Sequence, residues 1–276
     1  MAVKKIIITG ASGSMGSVAV RHFASIDVPV IMAVRNLAKA SAIRENILKD
    51  HPSADIELRL LDIASLASIQ AFVQSLEKDG IRASHLFNNA GIIPRSHEVN
   101  ADGFEMTVAT NYIGPYLLSR LAVEKLGVKN VCNMVSLTIK YGRLKKYFFE
   151  NPGYLNRLDI YSTTKLALFN FSIILAKKYA GVQVNVSDPG IVDSNMISMG
   201  EWFDPIADRC FRPFISSPEK GVAPAIRAIE SDNNLCYFVG NKTKKFTLKE
   251  LNTPIAEWLW QETERILAEK NINFTL

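Results

Sequence analysis

Cysteine and histidine are sparse in this chain. Cys132, Cys210 and Cys236 stand far apart and form no C-x-x-C pair. The four histidines, His22, His51, His85 and His97, show no ligand spacing. A disulfide framework and a zinc centre therefore find no support, and no metal site is expected. A reducing compartment, the cytoplasm, is the expected setting. No apolar run reaches the length of a bilayer span, so no integral membrane segment is expected. The run Ile6-Ile7-Ile8 near the N-terminus is too short for a secretory leader and reads as a buried strand. There is no linker and no internal repeat. The densest basic run, Lys242-Thr243-Lys244-Lys245, is short and reads as solvated surface. A net charge of +5 would suit an anionic small ligand such as a nucleotide and gives no argument for nucleic acid.

What the chain does contain is alternation. Apolar strands at Val3–Ile8, Val28–Val34, Ile56–Leu61, Ser84–Phe87, Val128–Val135, Val182–Ser187 and Leu235–Val239 are separated by helical patterns. The helices are read from the Gly/Ser turn to about Ser25, and over Leu37–Lys49, Ser65–Glu77, most of Phe104–Leu126, and Leu158–Tyr179. In the third, Leu66, Ile69, Phe72, Val73 and Leu76 make one stripe behind Ser65. This order implies an α/β fold: a single Rossmann-type domain over residues 1–276, with a doubly wound parallel sheet of about seven strands and helices on both faces. From Lys244 the chain is polar, then helical near 254–270. Ile255, Trp258, Leu259 and Ile266 share a stripe there and Trp260 falls off it. That helix docks on its own domain or on a second subunit, which leaves a homodimer or homotetramer open.

The first turn, Thr9-Gly10-Ala11-Ser12-Gly13-Ser14-Met15-Gly16, follows a strand and opens a helix. Glycine permits a tight turn and lets backbone N–H groups reach a pyrophosphate at the helix N-terminus. Gly10, Ser12, Gly13, Ser14, Met15 and Gly16 are thus candidate cofactor-binding residues. The second strand ends in Val34-Arg35-Asn36, without the acid that would bind a ribose 2′-hydroxyl. The fork of Arg35 suits a 2′-phosphate instead. NADP(H) is therefore favoured and NAD(H) allowed, with Arg35 and Asn36 at that position. Asp62 and Ile63 close the third strand, where Asp62 either meets an adenine ring or caps the next helix. Asn88-Asn89-Ala90-Gly91 ends the fourth. Its small residues let backbone approach a cofactor, and its Asn side chains can tie neighbouring strands.

Tyr161 and Lys165 lie four apart on a helical pattern, so both project from one face. A cation beside a phenol favours the phenolate, which makes the pair a candidate general acid/base with a lowered tyrosine pKa.

Taken together, these motifs resemble the short-chain dehydrogenase/reductase family from Lys4 to about Lys245. The likeness adds Asn111 in Thr110-Asn111-Tyr112-Ile113-Gly114, Ser136, and Asp188-Pro189-Gly190-Ile191-Val192-Asp193-Ser194. Within the classical branch the chain is most similar to retinol-dehydrogenase-like and WW-domain-oxidoreductase-like members. The cues are Ala33-Val34-Arg35-Asn36-Leu37, Leu61-Asp62-Ile63-Ala64-Ser65-Leu66, Val135-Ser136-Leu137 and a wide gap between Ser136 and Tyr161. The resemblance implies hydride transfer between a nicotinamide and a small-molecule carbonyl or alcohol. It implies Tyr161 as the proton-transfer group, Lys165 as its electrostatic partner and ribose ligand, Ser136 as donor to the substrate oxygen, and Asn111 as holder of a relay water. Asn89, Ala90, Gly91, Pro189, Gly190, Val192 and Ser194 are expected to join Tyr161 and Lys165 in holding the cofactor. Residues 195–218, rich in Met and aromatic side chains, are expected to form a flap suited to a bulky apolar substrate. The extra residues Lys140–Asp159 are expected near that substrate.

Three departures from the family pattern stand out. Gly13 falls one position early, so Gly10-x-x-Gly13-x-x-Gly16 is closer to the extended branch that handles nucleotide sugars. Val135-Ser136 replaces a Ser-Ser pair, and Ser194 stands where Thr is usual. The alternatives are an extended-type epimerase or dehydratase and a non-catalytic NADP(H)-binding regulator. The first would need a longer C-terminal part, and the second would be expected to have lost Ser136, Tyr161 or Lys165.

Overall fold

The computed structural model describes residues 4–149, 156–192, 216–272 and 274. Among the described residues, eight strands form one sheet: β1 (Ile6–Thr9), β2 (Val30–Val34), β3 (Ile56–Leu60), β4 (His85–Asn88), β5 (Asn130–Met134), β6 (Gln183–Asp188), β7 (Cys236–Val239) and β8 (Lys242–Lys245). Their order is β3-β2-β1-β4-β5-β6-β7-β8. Strands β1 to β7 are parallel and β8 returns antiparallel to β7. The helices are α1 (Ser14–Ser25), α2 (Leu37–Asp50), α3 (Leu66–Lys78), α4 (Met106–Val108), α5 (Gly114–Leu126), α6 (Arg157–Lys178), α7 (Pro218–Glu230), α8 (Leu248–Leu251) and α9 (Pro254–Glu269).

The period-two alternation of strand side chains builds two cores. Ile6 and Ile8 of β1 face the cluster that holds Val20 and Phe23 of α1, Ile47 of α2 and Val222 of α7. Ile7 faces the other, with Phe72 of α3, Leu117 of α5, Phe171 of α6 and Trp260 of α9. Burial on both faces explains why β2 and the first three residues of β1 read as unbroken apolar runs. The stripe Leu66, Ile69, Phe72, Val73 and Leu76 is the buried face of α3, and Ser65 caps it by accepting the Ser68 N–H.

Four features differ from the sequence expectation. The sheet has eight strands rather than about seven, because the basic run Lys242–Lys245 pairs with β7 as a fully exposed edge. Lysines on an edge strand oppose pairing with another chain. The stretch read as one helix ending at Leu126 is interrupted by a π-helical turn, Ala109–Ile113, between α4 and α5. Helix α7 was hidden by Pro218, Gly221 and Pro224. It packs on α1 and β6. Finally, Trp260 is the buried tryptophan of α9, 2 % exposed, with its ring stacked on Phe171 at 6.0 Å. It is Trp258 that is half-buried.

Helix α9 docks on its own chain. Thr263 hydrogen-bonds the Tyr112 hydroxyl at 2.7 Å, and Glu264 accepts from Arg120 at 2.7 Å. No described helix is long and apolar enough to cross a membrane.

Candidate active site

Strand order reverses at β1 and β4, which are neighbours although β2 lies on the other side of β1. A crevice opens beyond the carboxyl ends of strands at such a switch point. The glycine turn and the Asn88–Gly91 segment both lie there. Thr9 joins them: its hydroxyl accepts the N–H groups of Asn89 and Ala90, each at 3.0 Å, and Asn89 Nδ2 donates to the Thr9 carbonyl at 2.8 Å. Asn88 meanwhile donates to Asn133 of β5 at 2.7 Å and to Ser119 at 2.8 Å. The tie expected of the Asn side chains is present. The contribution of Thr9 was not read from the sequence, although a hydroxyl directly before Gly10 was its signal.

The turn has the shape an anion cradle needs. Gly10 adopts φ +62°. A Cβ on Gly16 would lie 2.3 Å from the Gly10 carbonyl oxygen, so α1 approaches the strand end as closely as glycine alone allows. Gly13 is the N-cap of α1, no side chain caps it, and the first turn carries no acid. Its first N–H groups and positive dipole end are left for a phosphate. Ser12 is half-buried and Ser14 exposed at this edge. The side chain of Met15, by contrast, enters the core beside Val192 and Val222, leaving only its backbone to the crevice. At the end of β2, Arg35 is exposed and has no partner among the described residues, while Asn36 caps α2 by accepting the Lys39 N–H at 2.9 Å. Asp62 is half-buried and accepts the Ala64 N–H at 3.0 Å. Ile63 is buried, and its carbonyl abuts Gly114, where a Cβ would sit 2.0 Å away. A dinucleotide fits these residues: glycine cradle, uncapped helix end and unpaired arginine lie at successive strand ends.

Tyr161, Lys165, Ser136 and Asn111 converge at the ends of β4, β5 and β6. Ser136 follows β5, is 8 % exposed, and accepts the Thr138 N–H at 3.3 Å; its hydroxyl is near enough to the Tyr161 phenol to favour the phenolate. Lys165 Nζ lies 5.7 Å from the Tyr161 ring centroid and donates to the Met134 carbonyl at 2.9 Å. Asn111 is fully buried on the π-helical turn. Its Oδ1 accepts the Ile92 N–H at 2.9 Å and its Nδ2 donates to the Ile92 carbonyl at 3.0 Å. Pi-helical turns recur at functional sites because they re-aim a side chain. Here the turn aims Asn111 at the segment after β4 rather than along its own helix. Gly91 sits between these groups: a Cβ there would be 3.2 Å from Lys165 Nζ and 3.4 Å from Asn111 Oδ1.

The electrostatics reverse the expectation of an acidified tyrosine. Burial pushes the Tyr161 phenol up to about 12; the Ser136 hydroxyl works against that, and the charge of Asp188 adds to it. Burial also brings Lys165 down to about 8, with Asp188 opposing. Loss of water outweighs the Ser136 hydroxyl at Tyr161 and the Asp188 charge at Lys165.

After β6, Pro189 is half-buried and Gly190, at φ +71°, donates its N–H to Asp188 at 2.9 Å. Val192 is buried against Gly221 and bridges Ser216. Ser194 lies outside the described residues, as do residues 195–215 of the expected flap. The flap's end is described: Ser216 pairs with Val192 and Pro218 opens α7. Of the expected insertion Lys140–Asp159, residues 140–149 and 156–159 are described. The Arg143 N–H donates to Thr163 at 3.1 Å, and Phe148 packs on Tyr112 at 5.6 Å. The insertion is thus anchored to α6 and to the π-helical turn.

Comparisons with known proteins agree with this fold. A family model described as short chain dehydrogenase matches residues 4–200. Polyprenol dehydrogenase of Danio rerio is 31% identical over 284 residues, covering 94% of this chain and 85% of that protein. Retinol dehydrogenase 12 of Homo sapiens is 27% identical over 273 residues, covering 96% and 86%. A solved structure of an uncharacterised protein from Mycobacterium paratuberculosis superposes with a TM-score of 0.78 at 22% identity, covering 99% of this chain and 95% of that one. The chain belongs to the short-chain dehydrogenase family and is an NAD(P)-dependent oxidoreductase with retinol-dehydrogenase-like relatives.

Proposed function

We propose that this protein transfers hydride between NADP(H) and an apolar carbonyl or alcohol, with Tyr161, Lys165, Ser136 and Asn111 as its working residues. The observation that carries the reading is the gathering of Ser136, Tyr161 and Lys165 beyond the end of β5, where the Ser136 hydroxyl acts on the Tyr161 phenol and Lys165 Nζ lies 5.7 Å from its ring centroid. Two hydroxyls so placed converge on one substrate oxygen: Ser136 donates to it and fixes its direction, and Tyr161 exchanges a proton with it. A phenol near 12 holds its proton at neutral pH, which suits giving it to the oxygen of a carbonyl. Lys165, near 8, supplies a neighbouring charge and a second proton store. Asn111 holds Ile92 and so shapes the wall beside Lys165. The bound nicotinamide supplies or takes the hydride.

The NADP(H) preference rests on Arg35, exposed at the end of β2 where no acid competes for it. The apolar substrate rests on exposed side chains that neighbour the site residues along the chain. Leu137 follows Ser136, Leu158 precedes Tyr161 by one helical turn, and Ile191 follows Gly190; all three are exposed. Exposed apolar groups beside a polar centre are the lining expected of such a site. The named relatives act on retinol and polyprenol, which are apolar alcohols. The buried free thiols Cys132 and Cys236 suit the cytoplasm.

The test is a panel of aldehydes and ketones of increasing apolar length, followed by NADPH and NADH absorbance. The reading expects turnover with NADPH that improves with apolar length. NADPH binding without turnover of any panel member would return the protein to a regulator.

A further inference from the structure

A buried ammonium calls for a negative partner, since a low-dielectric interior strips it of water. Lys165 is 3 % exposed, and its hydrogen bond is to the neutral carbonyl of Met134. Beside Met134 lies β6: Met134 pairs with Ser187, and the Val135 N–H donates to the Ser187 carbonyl at 2.8 Å. Asp188 comes next. Val184 and Val186 belong to the core that α6 covers, and strand residues two apart share a face, so Asp188 projects toward α6 at the edge where Lys165 ends. Its carboxylate is 2 % exposed and fixed at both oxygens. Oδ1 accepts the Gly190 N–H at 2.9 Å and Oδ2 accepts the Tyr237 hydroxyl at 2.7 Å. Tyr237 in turn packs its ring on Phe169 of α6 at 6.5 Å. Neither donor is a cation. The carboxylate is therefore buried, oriented and without a contact ion pair among the described residues.

We propose that Asp188 is the counter-charge of Lys165, a positioning residue clamped by Tyr237 and Gly190 that keeps the ammonium charged beside Tyr161. Among the described residues, the titratable groups facing this pair are Tyr161 from α6 and Tyr237 from β7. The charge of Asp188 favours the Lys165 ammonium and disfavours the Tyr161 phenolate. One carboxylate thus holds both groups in their protonated forms, which prepares the site to protonate a carbonyl oxygen. That consequence rests on the oxidoreductase reading above; the charge relationship itself does not.

The test titrates Lys165 by NMR of the protein labelled at the lysine ε-carbon, with its signal assigned by loss in Lys165→Arg. The wild-type midpoint is expected near 8. Asp188→Asn lowers it by about one pH unit, a tenfold loss of proton affinity. Asp188→Ser does the same and serves if the Asn variant fails to fold, while Asp188→Glu keeps the midpoint near that of the wild type. A midpoint unmoved in a folded neutral variant overturns the proposal. No turnover enters this measurement, so a protein inactive on every carbonyl would sink the oxidoreductase reading and leave the counter-charge to be decided here. In an active protein the upper limb of the reduction pH profile moves down with the lysine midpoint.

Discussion

Gly91 and Lys165 share one small space. A Cβ at residue 91 would lie 3.2 Å from the lysine nitrogen, and no backbone atom stands as close. The flexible end of Lys165 can give way, so Gly91→Ala is expected to change stability by no more than about 1 kcal/mol. Moving that nitrogen away from Tyr161 is expected to lower kcat/KM about tenfold, near 1.4 kcal/mol of barrier. Urea unfolding and steady-state reduction of an apolar aldehyde measure the two. Unchanged kcat/KM would mean that the position of Lys165 does not matter to the reaction.

Arg35 lies exposed at the end of β2 without a described partner. A guanidinium fork on a phosphate makes charge-assisted hydrogen bonds, so Arg35→Ala is expected to weaken NADPH about tenfold or more and NADH by less than about threefold. Titration of intrinsic fluorescence with each nucleotide reads both. Equal losses would remove the 2′-phosphate role.

His85 is buried next to Ser84, and burial lowers it to about 4. The folded protein keeps it neutral down to that pH, whereas the unfolded chain takes a proton near the ordinary value of 6.5. The unfolded state thus binds more protons between about 4 and 6.5, and stability falls as pH drops through that window. The loss attributable to His85 is on the order of 3 kcal/mol between neutral pH and pH 4. Urea unfolding of wild type and His85→Gln at both pH values tests this. The variant is expected to show the smaller loss, and parallel losses would assign the acid sensitivity elsewhere.

Arg120 is fully buried among the rings of Tyr116, Tyr179, Trp260 and Phe274 and donates to Glu264 of α9. Removing one partner of a buried pair leaves the other charge uncompensated. Glu124 also serves Arg120, so Glu264→Gln is expected to cost about 2 kcal/mol rather than the full penalty. Hydrogen exchange should show α9 loosened before the sheet. Wild-type protection in α9 would mean that ring packing and the Tyr112–Thr263 hydrogen bond hold the helix without the ion pair.

Much of this was legible from residue order. Strand–helix alternation gave the parallel sheet, and Gly10, Gly13 and Gly16 fell at the first switch-point turn as expected. The misses have physical causes. The edge strand Lys242–Lys245 has no apolar residue because neither of its faces is buried, so no pattern marked it. Pro224 inside α7 broke the helical signal although the helix tolerates it. The π-helical turn keeps a helical pattern and differs only in hydrogen bonding, which residue types do not report. Trp260 looked out of phase because the stripe was drawn through Ile255 and Trp258, which are half-buried, rather than through Ala256, Leu259, Thr263 and Leu267. The sign of the Tyr161 shift needed burial, which spacing alone does not supply.

The central claim is that Tyr161 exchanges a proton with the substrate oxygen. It is tested most directly by the rate of NADPH oxidation by an apolar aldehyde in wild type and Tyr161→Phe, each at saturating NADPH. The account predicts a fall of about 100-fold or more in the variant with an unchanged NADPH dissociation constant. Equal rates in the two proteins would contradict it.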